Sequence, residues 1–174
     1  FQFGASDQGR NIGYDISTRM WPSLAVQLPA FVIGLATYIS LALLMAFFRA
    51  TYVDFWGVVL CVLMMSVSTL FYIIGGQFVF GKLWSLVPIS GYDGGFEAIK
   101  FLALPVLIGV IAGIGGSARW YRTIFLEEIS KDYVRTARAK GLSELRVLFR
   151  HVLQNAMIPI LTGVGVAIAA AFAP

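Results

Sequence analysis

Four stretches of this chain, residues 23–48, 55–81, 101–118 and 156–174, contain no Asp, Glu, Lys or Arg. A helix of roughly 20 apolar residues crosses a hydrocarbon core about 30 Å thick, so each stretch reads as a membrane span. The fold class expected is all-α, a polytopic integral membrane protein. Composition excludes a soluble alternative: 59% of the 174 residues are hydrophobic and 13% charged, too few charges for a polar exterior. Pro29 removes a backbone donor inside the first stretch and predicts a kink there. Gly109 and Gly113, four apart in the third, leave one helical face bare where another helix can approach. Trp21, Trp56, Trp84 and Trp120 stand at or near the ends of the stretches, where amphipathic rings favour the water interface.

The charge missing from the spans is collected in one place. Eight of the 13 Lys and Arg residues lie between Arg119 and Arg150. With Arg49 they make nine on one side of an alternating chain, against Arg10, Arg19, Lys82 and Lys100 on the other. The excess marks residues 119–155 as cytoplasmic and residues 1–22 as an external segment. Each Lys or Arg at mid-membrane costs about 2.5–3.5 kcal/mol on insertion scales, so the island cannot lie in the bilayer. The net charge of +4 does not point to nucleic acid when the excess sits in a loop between spans.

The island is punctuated. A helical run ends at Gly141, the residue that most cheaply takes the left-handed conformation past a helix end. Two residues on, Ser143 is placed to cap a new helix through its hydroxyl, with Leu142 and Val147 as a hydrophobic staple. The pattern is helix, elbow, helix. Lys131, Arg135 and Arg138 share one face of the first helix, and Leu145, Leu148, Phe149 and Val152 form an apolar stripe on the second. Glu127, Glu128 and Asp132 stand beside Lys131 and Arg135, and ion pairs such as Glu128 with Lys131 or Arg135 account for them better than acid–base catalysis.

This stretch resembles the signature loop of the membrane-spanning subunits of binding-protein-dependent ABC importers. In the general signature, Glu-Ala-Ala precedes a Gly by three residues and Ile-x-Leu-Pro follows it by nine. Around Gly141 those places are held by Arg135-Thr136-Ala137 and by His151-Val152-Leu153-Gln154, which match it poorly. The peptide and nickel branch is matched closely. Its twelve-residue run is Asp132, Tyr133, Val134, Arg135, Thr136, Ala137, Arg138, Ala139, Lys140, Gly141, Leu142 and Ser143. It is followed by Arg150-His151, Leu153, Asn155-Ala156 and Ile158-Pro159. Phe3 to Ser6, ahead of Thr18 to Pro22, is similar to the external segment of the B-type subunit of peptide importers.

The resemblance implies a type I ABC importer transmembrane domain of six spans, about four of them in residues 23–174, in a multi-pass bacterial inner membrane protein. It implies partners: two ABC ATPase subunits, a homologous second permease subunit and an external solute-binding protein, besides membrane lipids. The subunit itself is expected to be non-catalytic and to need no cofactor, ATP being bound by the partner subunit. The coupling loop implied is Asp132 to Ser143 with His151 and Asn155. The chain starts at Phe1 and stops inside an apolar run, so missing spans are expected at both ends.

Other features invite sharper readings. Gly76 to Lys82 fits the first seven positions of a phosphate-loop pattern, but Leu83 replaces the hydroxyl residue that would hold magnesium. His151 is the sole histidine and Cys61 the sole cysteine, so neither a metal cluster nor a disulfide framework is indicated. Gln27, Thr37, Ser40, Ser66, Ser68, Thr69, Tyr72 and Gln77 either line a path for a polar solute or bond between helices. The spans carry no carboxylate, which argues against a proton-driven carrier. The rival to an importer subunit is a polytopic channel or membrane scaffold whose basic loop binds anionic lipid or a cytosolic partner.

Overall fold

A computed structural model describes residues 12–84 and 98–171, and every regular element among them is helical. Helix α1 runs Ile12–Phe47, α2 Tyr52–Ser66, and α3 Thr69–Gly76, which passes into a π-helical stretch at Gln77–Leu83. Helix α4 is Ala98–Ile129 and α5 is Asp132–Ala139. The short α6, Glu144–Arg146, passes through a second π-helical stretch, Val147–Val152, into α7, Leu153–Ala171. Among the described residues, Ile16–Phe47, Phe101–Ile129 and Glu144–Val166 are long and apolar enough to cross a membrane. Tyr52–Ser66 with Thr69–Leu83 makes a fourth span if that broken pair is one.

The first helix begins earlier than the apolar run. Residues 12–22, expected as an external segment, already belong to α1. Ser17 and Thr18 donate to the Tyr14 carbonyl at 2.9 Å and Ser23 to Arg19 at 3.1 Å, so the polar side chains fold back on their own helix. Pro22 and Pro29 both lie inside α1, which continues past them. The Phe3–Ser6 motif and residues 85–97 lie outside the described residues.

The run 55–81 is not one helix. Val67 and Ser68 are extended, and helix resumes at Thr69 with Ser68 in the N-cap place. Two serines, a Val and a Thr fall together here. Hydroxyls compete for backbone groups, as Ser66 does by donating to the Val62 carbonyl at 2.9 Å, and β-branched side chains lose rotamer freedom in a helix. The third helix errs the other way. It runs 11 residues past Ala118, to Ile129, and carries Arg119, Arg122 and Glu128 on its far end.

The described residues fall into two compact units, one built from the chain up to Leu35 and Ser68–Ala112, the other from Ala36–Val67 and Gly113 onward. In the first, a cleft of about 250 Å³ opens between α3 and α4, with Phe71, Val79 and Phe80 facing Leu107 and Ile111. In the second, Met45, Cys61 and Ala118 form a core covered by Leu41, Val58 and Ile114. Helix α4 meets α2 there at Gly115, where a Cβ would stand 2.6 Å from the Cys61 carbonyl oxygen and 2.8 Å from the Met65 nitrogen. Of the two glycines expected to admit another helix, Gly113 does so, with the Tyr38 hydroxyl of α1 where a Cβ would stand, whereas Gly109 faces open space. Large apolar side chains such as Leu28, Phe31, Leu60, Leu63 and Leu161 remain exposed, as helices facing lipid or a membrane partner require.

Candidate functional site

The charged island lies wholly in the second unit and divides into the end of α4, α5, the elbow and the head of α6. The α4–α5 break falls at Ser130, whose N–H and hydroxyl both donate to the Glu127 carbonyl, at 3.2 and 2.6 Å. The elbow is closed by backbone. Gly141 has φ +77°, donates to the Arg138 carbonyl at 2.9 Å, and is followed by Leu142, which donates to the Ala137 carbonyl at 3.4 Å. These two bonds are the 5→2 and 6→1 pair of a Schellman termination, which satisfies carbonyls orphaned at the end of α5.

The second half of the elbow is built differently from expectation. Ser143 does occupy the N-cap of α6 with extended backbone, but its hydroxyl makes no cap hydrogen bond. Its carbonyl accepts from Val147 at 3.0 Å. Glu144 instead reaches back across the turn to Arg138: Nε donates to Oε1 at 2.7 Å and Nη2 to Oε2 at 3.1 Å. This fork holds the two arms of the elbow together.

Helix α5 turns Val134 and Ala137 inward, both buried. Asp132, Arg135, Thr136, Ala139, Lys140, Gly141 and Ser143 are exposed, and Leu142 and His151 are partly covered. Arg135 pairs with Asp132 at 3.5 Å with both side chains mostly in solvent, a contact worth little. Thr136 donates back to the Asp132 carbonyl at 3.0 Å. Beyond the elbow the apolar stripe is out of phase with the α-helical expectation. Leu148 and Val152 are buried with Val147, while Leu145 and Phe149 are 56% and 54% exposed. Residues 147–152 are π-helical, and the wider turn brings Val147 and Val152, five apart, to the same buried side as Leu148. Two large apolar side chains therefore remain outside, beside exposed Arg146 and Arg150.

Glu128, on the last turn of α4, is buried and doubly satisfied. Lys131 Nζ donates to its Oε2 at 2.6 Å and Tyr133 Oη to its Oε1 at 2.8 Å. The expected pair of Glu128 with Lys131 forms; the alternative with Arg135 does not. Asn155 Nδ2 donates to the His151 carbonyl at 2.7 Å. Burial, and after it the bond and charge of Glu128, push the Tyr133 phenol up to about 12, with Asn155 acting in the opposite direction.

One pair could not be found from local pattern. Arg122 of α4 grips Asp54 of α2 with Nε to Oδ1 and Nη2 to Oδ2, each at 2.7 Å, across 68 residues of sequence. Asp54 also accepts from the backbone N–H of Ala50 at 3.3 Å. Ala50 takes φ +61°, which costs a residue with a Cβ, so the carboxylate fixes the α1–α2 turn in a conformation it would not choose alone. The only sequence signal was a carboxylate at the edge of an apolar run. Arg49, from the same turn, joins Arg138 and Glu144 around a cavity of about 230 Å³ floored by Ile129, Val147, Leu148 and Val152. Arg49 thus lies at the same end of this unit as the island.

The phosphate-loop pattern at Gly76 to Lys82 has no strand-to-loop-to-helix cradle, because the segment is helical throughout. Among the described residues no group of three or more His, Cys, Asp or Glu side chains converges on a metal position. Several hydroxyls expected either to line a path or to bond between helices are turned to their own backbone, Ser40 to Ala36 at 2.7 Å and Ser66 to Val62 at 2.9 Å.

Comparison with known proteins adds the following. Residues 38–173 match the family model of the binding-protein-dependent transport system inner membrane component. A protein of Brucella suis biovar 1, provisionally named a peptide permease, is 31% identical over 156 residues, covering 86% of this chain and 49% of that protein. The oligopeptide transport system permease protein AppB of Bacillus subtilis is 33% identical over 115 residues, 66% of this chain and 34% of AppB. The di/tripeptide transport system permease protein DppB of Pseudomonas aeruginosa is 37% identical over 121 residues, 63% of this chain and 35% of DppB. The chain thus spans at most about half the length of these curated relatives.

Proposed function

The chain belongs to the family of binding-protein-dependent transport system inner membrane components, and from that premise we propose that it is part of a permease subunit of an ATP-driven importer. The names of its relatives favour peptides or a related small solute as cargo. The spans form one side of a translocation path, completed by a homologous second permease. ATP is hydrolysed in separate ATPase subunits, and an external binding protein delivers the solute. The reading places residues 119–155 on the cytoplasmic side, where nine basic residues including Arg49 gather.

The observation that carries this reading is the elbow. A loop whose task was to attract anionic lipid would need charge and no fixed geometry. Here the turn is locked at Gly141 and forked by Arg138 and Glu144, and it presents exposed Leu145 and Phe149 amid Arg135, Lys140, Arg146 and Arg150. An apolar pair ringed by cations suits a groove with an acidic rim on a partner. A rigid elbow there passes a partner's displacement into α7.

The test is co-purification of ATPase subunits with the full-length protein from mild detergent, comparing wild type with Leu145→Asp and Arg135→Glu. Both side chains are exposed, so the variants should insert normally. Retention by wild type with loss in the variants supports the importer reading. An ATPase absent from the wild type would hand the loop to the channel or scaffold reading.

A further inference from the structure

The turn between α1 and α2 carries a cation that no carboxylate neutralises. Arg49 is exposed, and among the described residues it forms no ion pair. The two carboxylates nearest to hand are already taken. Asp54 is gripped by Arg122, and both oxygens of Glu144 accept from Arg138. The cavity of about 230 Å³ that Arg49 borders therefore carries two arginines and one carboxylate at its rim, a net charge of +1. Its floor is wholly apolar, built from Ile129, Val147, Leu148 and Val152, with Phe47 as one wall.

Position narrows what such a cavity can hold. Ile16–Phe47 is long and apolar enough to cross a membrane, so Arg49 stands just beyond the end of a span, on the side that the distribution of basic residues makes cytoplasmic. The face of α1 that leads to it is apolar and open. Leu44, Phe47 and Phe48 are 49%, 37% and 40% exposed, and spacings of three and four put them on one side of the helix. Phe47 belongs to both surfaces, so the apolar lining of the cavity continues onto a face turned to lipid. The volume falls below the roughly 300–1,000 Å³ of pockets that enclose a drug-sized ligand, so it suits one end of a larger molecule. A single negative charge, an apolar remainder and a tail that leaves along α1 describe a phosphodiester lipid. A soluble phosphate would make no use of the floor, and an acidic side chain of a partner would bring nothing to the α1 face.

We propose that this cavity binds one anionic phospholipid of the cytoplasmic leaflet, with its phosphate paired to Arg49 and its acyl chains laid over Phe47 along α1. Glu144, at the same rim, limits the site to a single negative charge and so disfavours a phosphate monoester. The site differs from a general attraction of the basic loop to anionic lipid, which depends on how many cations lie near the surface and not on which one. It rests on the orientation of the chain in the membrane and is independent of the importer reading.

The test is a titration of the full-length subunit in mild detergent with phosphatidylglycerol, bound lipid being counted by native mass spectrometry. Zwitterionic phosphatidylethanolamine and inorganic phosphate are the comparison arms. One phosphatidylglycerol should bind more tightly than any that follow. Loss of a cation that only adds to the surface potential weakens binding about fivefold, whereas loss of one bonded to the phosphate should weaken it more than about tenfold. Arg49→Gln is expected in the second class. Arg49→Lys should keep most of the affinity, because an ammonium also serves a phosphate as a point charge. Arg119→Gln is the control, an exposed cation on the same side of the membrane but outside the cavity, and belongs in the first class. Arg49 is exposed and outside every ion pair described, so Arg49→Gln should melt with the wild type.

Equal losses in Arg49→Gln and Arg119→Gln overturn the proposal, since the lipid would then be answering to total charge. Retention of phosphatidylethanolamine as tight as that of phosphatidylglycerol overturns it as well. If inorganic phosphate displaces the lipid at matched concentration, the cavity is an anion site with no use for a tail. If Arg49→Gln binds phosphatidylglycerol normally but loses a co-purifying ATPase, the cavity belongs to a protein partner and the lipid assignment is wrong.

Discussion

Gly141→Ala isolates what the elbow owes to backbone conformation. At φ +77° a Cβ added to residue 141 would meet nothing within 4 Å, so the substitution introduces no clash with neighbours. What remains is the intrinsic penalty of the left-handed region, roughly 1–2 kcal/mol for a residue with a Cβ. That corresponds to about a 5- to 30-fold loss in the population of the closed turn. Asn tolerates the region better than Ala, so Gly141→Asn should lose less. Gly141→Pro should lose most. Its φ is held near −65°, and it removes the N–H that donates to Arg138 at 2.9 Å, together costing about 3 kcal/mol or more.

The expected order of closure is therefore Gly, Asn, Ala, Pro. The assay is exchange protection of the Leu142 amide, whose bond to the Ala137 carbonyl exists only in the closed turn. It is read beside ATP-driven uptake in the same variants. Equal protection in Gly and Ala would refute the reasoning, because conformation at residue 141 would then not be holding the elbow. Asn as poor as Pro would refute it too, by showing that volume rather than φ governs the site.

Other perturbations separate the remaining restraints. Arg138→Ala and Glu144→Ala should show a coupling of about 0.2–1 kcal/mol in a double-mutant cycle, shrinking with added salt, because Glu144 is 59% exposed. Asp54→Ala leaves Arg122 and the Ala50 N–H without their acceptor and should cost toward the low end of the about 3–5 kcal/mol typical of a broken buried pair. Melting in detergent reads that loss, and Arg122→Met in the same protein should restore part of it. Gly115→Val drives atoms into the backbone of α2 and should cost about 1–3 kcal/mol, whereas Gly116→Ala, facing open space inside α4, should keep or raise the melting temperature, because Ala favours the helix over Gly. Tyr133 holds its proton to about 12 against an ordinary 10.0, so its bonds add stability that is complete below pH 10 and lost as pH rises from there through 12. Exchange over residues 132–140, corrected for intrinsic chemistry, should therefore show constant protection from pH 6 to 9.

What could be read from sequence depended on the range of the interaction. The apolar runs gave the spans because membrane burial is a property of composition over about 20 residues. Gly141 was legible because a left-handed helix end is decided within one turn. The break at Val67 and Ser68 was hidden by a hydropathy that counts Val as favourable while ignoring its stiffness in a helix. At residues 143 and 144 two neighbours could each close the elbow. A hydroxyl cap is the common solution, but a carboxylate one residue on could reach the Arg138 fork, and a spacing rule cannot weigh the two. The stripe through Leu145 and Phe149 failed because a period of 3.6 was assumed where the helix is wider. Asp54 with Arg122 was invisible for the plainest reason: 68 residues separate partners that only tertiary packing brings together.

The three restraints on the island differ in how they respond to solvent. The Arg138–Glu144 fork stands in water and is screened as salt rises. The Gly141 turn is held by backbone bonds and a conformational preference, both nearly indifferent to ionic strength. The Glu128 carboxylate is buried, and its partners work at low dielectric where screening is weak. A loop designed only to concentrate positive charge would need none of the last two. Their presence means that the geometry of the elbow persists when its surface electrostatics are switched off, as the coupling role proposed for it requires.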